Sequence, residues 1–384
     1  MNRNLALVAA SMFTWGAGEG LFIYFQTLYL QDWGADPLMI GTILGGMGIA
    51  MAIFQLPAGY LADKIGQRPI MWASWLLGTA SAWLMALANS LPMFVAGVLV
   101  YGLTSFVLAP MNSYITAMRG KWSPGRALTF VSAAYHLGAI LGPTIGGTLA
   151  NQYGLKTVYI IASIVLVFST AIILFIGKPP KEIHPEKEAD ARLYRNGRFV
   201  TLAALTFITV FALYLPQSLT PNFLQNERHL SLQQIGLIGT AGSLGNAMIL
   251  LILGSLSAPA AFLIGQPLVG LFALLMWQGT SLPLFALGYF FMSGYRLCRS
   301  MVMALARSLI HPSETGLAYG MLETANAVAV IVAPLLAGVL YQRSPSLVYR
   351  VSMVVIGLAF VLNIGIVPAL VRKSETVSLQ EEIS

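Results

Sequence analysis

Long apolar runs separated by short polar breaks repeat along almost the whole chain, and this rhythm sets the first expectation. A helix crossing about 30 Å of hydrocarbon needs roughly 20 predominantly apolar residues. Twelve stretches fit: 5–30, 38–62, 69–88, 92–118, 125–150, 155–177, 199–224, 232–255, 258–278, 281–306, 315–341 and 347–371. They are long and lack the apolar/polar alternation of barrel strands, so they predict helices. We number them spans one to twelve. The first follows "MNRN" without a small-residue cleavage site and is expected to be a span, not a removed leader. The predicted fold class is an all-α membrane protein of twelve transmembrane helices.

Composition agrees. The 384 residues are 57% hydrophobic and 9% charged, with mean hydropathy +0.76, whereas soluble domains carry about 25% charged residues. The single cysteine, Cys298, excludes an intrachain disulfide and a cysteine-rich metal site. No phosphate-cradling glycine loop, nucleophile triad or His-Glu-x-x-His spacing occurs. Neither ATP-driven transport nor membrane-hydrolase chemistry is therefore expected, and no cofactor or metal is implied.

The net charge of +7 points to topology, not nucleic acid. With an even number of spans, both termini lie on one side. Placing them in the cytoplasm puts fifteen of the Lys and Arg residues there, among them Arg3, Arg119 and Arg307, and only Lys156, Arg228, Arg343 and Arg350 outside. This is the positive-inside bias. It predicts cytoplasmic termini for a multi-pass protein; a bacterial inner membrane and a monomer are the accompanying expectations.

One hydrophilic stretch, "GKPPKEIHPEKEADARLYRNGR", breaks the rhythm. It divides the chain into an expected six-helix bundle over 1–177, a cytoplasmic linker over 178–198, and a second six-helix bundle with a short tail over 199–384. "GAILGPTIGG" at 138–147 and "AVIVAPLLAG" at 329–338 place Pro143 and Pro334 at matching points of spans five and eleven. Two related six-helix halves are a common transporter plan.

Between spans two and three the chain reads "GYLADKIGQRP". A carboxylate at Asp63, beside Lys64 and Arg68, can bridge to cations or to a helix N-terminus and latch a bundle. This stretch resembles the signature loop of the major facilitator superfamily. Gly59, Leu61, Asp63, Gly66 and Arg68 match it, while Lys64 stands where arginine is usual and Gln67 replaces a basic residue. In the second half Gly254 and Leu256 persist, but Ala258 replaces the aspartate. With the spans, linker and internal similarity, the resemblance covers essentially the whole chain. It implies two pseudo-symmetric bundles, secondary transport by alternating access, and a cavity lined by spans one, four, seven and ten.

"GAILGPTIGG" also resembles a motif of proton-coupled drug antiporters. Gly138, Gly142, Gly146 and Gly147 around Pro143 allow close helix approach and a bend; plain packing is an equal reading. The antiporters' companion arginine inside span four is missing, since Arg119 lies at that helix's end.

Away from the ends of the spans the acidic residues are Glu19 and Glu323, the basic ones Arg296 and Arg299, with one histidine, His136. A central ion costs roughly 2.5–3.5 kcal/mol on insertion scales, so four unpaired ones would cost on the order of 10–14 kcal/mol. They are expected to face the bundle interior or a wet cavity. Three readings stay open. The first is a fixed network pairing Arg299 with Glu323 and Arg296 with Glu19. The second makes Glu19, then Glu323, the proton carrier, with His136 as a relay; a water-poor setting and a nearby arginine pull a carboxyl's proton affinity in opposite directions. The third makes Arg296 and Arg299 a dock for an anionic head group. Trp15, Gln26, Tyr289 and Asn326 share helix faces with these ions and are candidate substrate contacts.

The leading expectation is a proton-coupled transporter exporting an amphipathic small molecule, with substrate, proton and lipid bilayer as partners. Proton-coupled uptake of an anionic metabolite is the alternative. A transport-inactive sensor or scaffold represents a different class.

Overall fold

The computed structural model describes residues 2–179, 196–307, 309–310 and 315–381; most of the expected linker lies outside them. All regular structure among the described residues is helical. Local chemistry sets the helix starts. Asp36 and Ser123 accept hydrogen bonds from Met39 N and Arg126 N, each just before a proline in the first turn, and Asn196 caps the helix of span seven. Such side chains satisfy N–H groups that have no partner within the helix. Gly66 and Gly154, at φ +91° and +80°, end spans two and five in a conformation that disfavours any Cβ.

Ten helices among the described residues are long and apolar enough to cross a membrane. They are Arg3–Asp32, Pro37–Ala62, Leu91–Ala117, Pro124–Tyr153, Leu155–Leu174, Gly197–Tyr214, Leu232–Leu253, Ala258–Gln278, Ala318–Arg343 and Leu347–Leu370. Spans three and ten are helical but fall outside this set for identifiable reasons. Span three, Gln67–Ala86, is diluted by polar residues that turn inward: Ser74 Oγ donates to Thr104 O at 2.9 Å, and Thr79 and Thr170 hydroxyls meet at 2.6 Å. Span ten is cut at Ser293 into Leu282–Met292 and Gly294–Arg307 and carries both arginines.

Breaks recur every third span. Span one runs Arg3–Phe22, narrows to a 3-10 turn at Ile23–Phe25, and resumes as Gln26–Asp32. Span four does the same at Thr104–Val107. Span seven stops at Tyr214 and restarts as Thr220–Asn226, the break near its outer end that Pro216 and Pro221 lead one to expect, because Pro216 lacks an N–H to continue the ladder. Spans five and eleven stay continuous over their prolines, Pro143 and Pro334.

The described residues pack as two compact units, one from 1–184 with Leu219–Leu244, the other from 185–218 with Gly245 onward. Packing and chain order differ here: Leu219–Leu244 follows the linker yet belongs to the first unit.

In the first unit, spans one and five touch backbone to backbone. A Cβ added at Gly138 would overlap the Phe13 carbonyl, one at Gly142 would overlap Gly20, and one at Gly146 would overlap the Leu21 carbonyl. Gly147 faces the other way, onto Leu232 and Gly236. The glycines of "GAILGPTIGG" thus serve two helix contacts, where small residues let dispersion forces act at short range. The second unit holds a buried polar knot. Asn363 Nδ2 donates to Thr209 Oγ1 at 2.8 Å and to Gln266 Oε1 at 3.0 Å, joining spans seven, nine and twelve.

Candidate transport site

In the first unit the site is built around Glu19. The glycines of "GAGEG" thin the helix here, and the 3-10 turn begins four residues later. Glu19 is half-buried, and the Tyr135 hydroxyl of span five donates to its Oε2 at 3.0 Å. Gly16 permits this approach, since its Cβ would collide with the Tyr135 carbonyl. Tyr101, on span four just before that helix's own break, interacts with the same carboxylate. Tyr101 stacks on Trp15 at 6.2 Å and meets Phe22 edge-on at 5.4 Å. His136 is partly exposed, its ring set against Tyr135 at 5.2 Å.

Of the predicted substrate contacts in this unit, Trp15 packs against Trp75 at 5.3 Å and is 9% exposed. Gln26 is also buried, beyond the break, and its Nε2 finds no partner.

In the second unit the structure joins Arg299 to Glu323, Nη2 to Oε2 at 2.7 Å. Asn326 Nδ2 reaches the same oxygen at 3.4 Å. Arg296, one turn before Arg299 and three residues past the break in span ten, is exposed. Tyr295 interacts with Arg299, and its ring lies 5.5 Å from that of Tyr214. Tyr289 is fully packed, edge-on to Phe272 at 5.7 Å.

At the signature loop, the Lys64 ammonium lies 4.4 Å from the Tyr60 ring and the Arg68 guanidinium 4.0 Å from the Trp72 ring. Gln67 Nε2 donates to Ser113 Oγ at 3.2 Å. The side chains at Gly59 and Asp63 lie outside the described ones.

Sequence reasoning singled out the ions but did not pair them with Tyr135, Tyr101 or Tyr295; the first two entered only as aromatics that could line a substrate path. The signal for Glu19 was its acid group inside an apolar run. The tyrosines gave none, because their partners come from other helices.

Broken helices thus carry a half-buried carboxylate in one unit and a partly exposed ion pair in the other. Discontinuous helices are where transporters place binding groups. The sequence profile of the Major Facilitator Superfamily matches residues 7–259 and 202–383, and the chain belongs to this family. It is 29% identical over 157 residues to an uncharacterized MFS-type transporter of Methanocaldococcus jannaschii, 41% of either chain. It is 24% identical over 225 residues to the multi-drug resistance efflux pump PmrA of Streptococcus pneumoniae, 57% of this chain and 56% of that one. These matches span about half the length of those relatives. In fold it is similar to a crystal structure of a mutant of the nucleoside transporter NupG, with TM-score 0.80 and 12% identity over 95% of this chain and 100% of that one.

Proposed function

We propose that this secondary transporter couples proton movement to export of an amphipathic small molecule by alternating access between its two six-helix halves, with Glu19 carrying the proton. The observation behind this reading is the Glu19–Tyr135 contact beside the Ile23–Phe25 turn. A carboxylate that is partly solvated and sits at a helix break changes its surroundings when the helix bends. His136, next to Tyr135, is placed to pass the proton on. Likeness to PmrA, an efflux pump, favours export. Asp63 with Lys64 and Arg68 would latch the linker-side end. We place the protein in a bacterial inner membrane, as a monomer with cytoplasmic termini.

A second reading, proton-coupled uptake of an anionic metabolite, is favoured by the exposed Arg296 beside Arg299. Proteoliposomes under an imposed pH gradient separate the two by the sign of coupling. Glu19→Gln should abolish proton-driven uphill flux and preserve substrate exchange. Unchanged uphill flux would remove Glu19 as carrier.

A further inference from the structure

The charged cluster on spans ten and eleven has no task in the Glu19 reading. Arg299 and Glu323 meet through one nitrogen and one oxygen, and their side chains are 39% and 32% exposed. The guanidinium has five donors in a planar fork; Glu323 and Tyr295 engage part of it, which leaves the remaining donors for another acceptor. Arg296 lies on the same helix face one turn away, exposed, and makes no ion pair among the described residues. Span ten thus carries two fixed cations here and span eleven one carboxylate. Asn326 adds a second observation: it is 5% exposed, and its Oδ1 is buried without a hydrogen-bond partner. A buried acceptor left open in this way is costly, and a donor carried by a ligand would satisfy it.

We infer that Arg296, Arg299 and Asn326 form the docking site for an organic carboxylate that bears a hydrogen-bond donor near its acid group, and that Glu323 is the resident counter-ion the carboxylate displaces. Glu323 keeps Arg299 neutralised while the site is empty. An incoming carboxylate takes the guanidinium in the two-pronged geometry that Glu323 does not use. Arg296 supplies the excess positive charge, and Asn326 Oδ1 receives the ligand's donor. The inference rests on the transport reading only in taking this anion as the cargo; it narrows "amphipathic compound" to an amphipathic acid.

The test is equilibrium binding to the purified full-length protein in detergent, with no gradient. The probes are naphthalene-1-acetate, its 2-hydroxy derivative, and the isosteric neutral alcohol and amine. Both carboxylates should bind, the hydroxy acid more tightly, and the alcohol and amine should not. Arg296→Ala should weaken carboxylate binding by about tenfold or more, the loss expected for one charge-assisted contact. Glu323→Gln removes the competitor and should tighten it, and Asn326→Ala should erase the preference for the hydroxy acid. If Glu323→Gln does not fold, Arg296→Lys decides, since it keeps the charge and should retain binding that Arg296→Ala loses. Equal binding of acid and alcohol, or weaker binding in Glu323→Gln, would overturn the inference. Failure of proton-driven flux would sink the Glu19 reading and leave this binding result standing.

Discussion

Tyr135 and Glu19 show how much rests on one hydroxyl. The 3.0 Å contact is a charge-assisted hydrogen bond whenever the carboxylate is ionised, and such bonds contribute about 1.5–3 kcal/mol. Tyr135→Phe keeps the ring against His136 and removes only the donor. It should lower proton-driven flux by roughly tenfold while leaving substrate exchange and melting temperature close to wild type. A loss of exchange equal to the loss of uphill flux would show that the tyrosine contacts substrate instead. Glu19 was legible in the sequence because an acid in an apolar run has few innocent explanations. Tyr135 was not, because a tyrosine in the same setting packs as readily as it bonds.

Helices are held to one another here by two devices, glycine seams and buried amides. Along spans one and five the seam leaves no room for a side chain, so Gly142→Leu must force the backbones apart at Gly20. We expect loss of folded protein, read as a collapsed monodisperse peak in detergent. Gly125→Leu, where an added Cβ meets nothing within 4 Å, should leave that peak intact. The knot at Asn363 is weaker, since interhelical hydrogen bonds in membranes contribute about 0.6 kcal/mol on average and up to about 2 kcal/mol. Asn363→Ala removes two of them and should lower the melting temperature by a few degrees; an unchanged value would make the knot energetically silent. The sequence marked the seam through its glycine spacing but could not say which neighbour each glycine meets. Gly138, Gly142 and Gly146 point to span one and Gly147 to Leu232–Leu253, because residues one position apart on a helix face different directions.

At the scale of the molecule, the unequal distribution of Lys and Arg is the property that sets orientation. Reporter fusions after residue 373 and within the linker should both report the cytoplasmic side. A cysteine placed at Ser344, beyond the end of span eleven, should react with a membrane-impermeant maleimide added outside intact cells, in a Cys298→Ala background. Labelling from the opposite side only would reverse the topology while leaving the fold untouched.

What the amino-acid sequence determined was governed by transfer from water to lipid: the all-helical class, the rhythm of apolar stretches, and which residues are too costly to leave against hydrocarbon. These follow from composition within a window of about 20 residues, and the signature loop added the family. Tertiary structure decided the rest. Glu19 answers to Tyr135, a partner 116 residues away, and Arg299 is joined to Glu323. Spans five and eleven run on through their prolines, while the break in span seven was already legible in Pro216 and Pro221. A hydrogen bond or a helix break depends on what stands opposite, and apolar periodicity records only that something does.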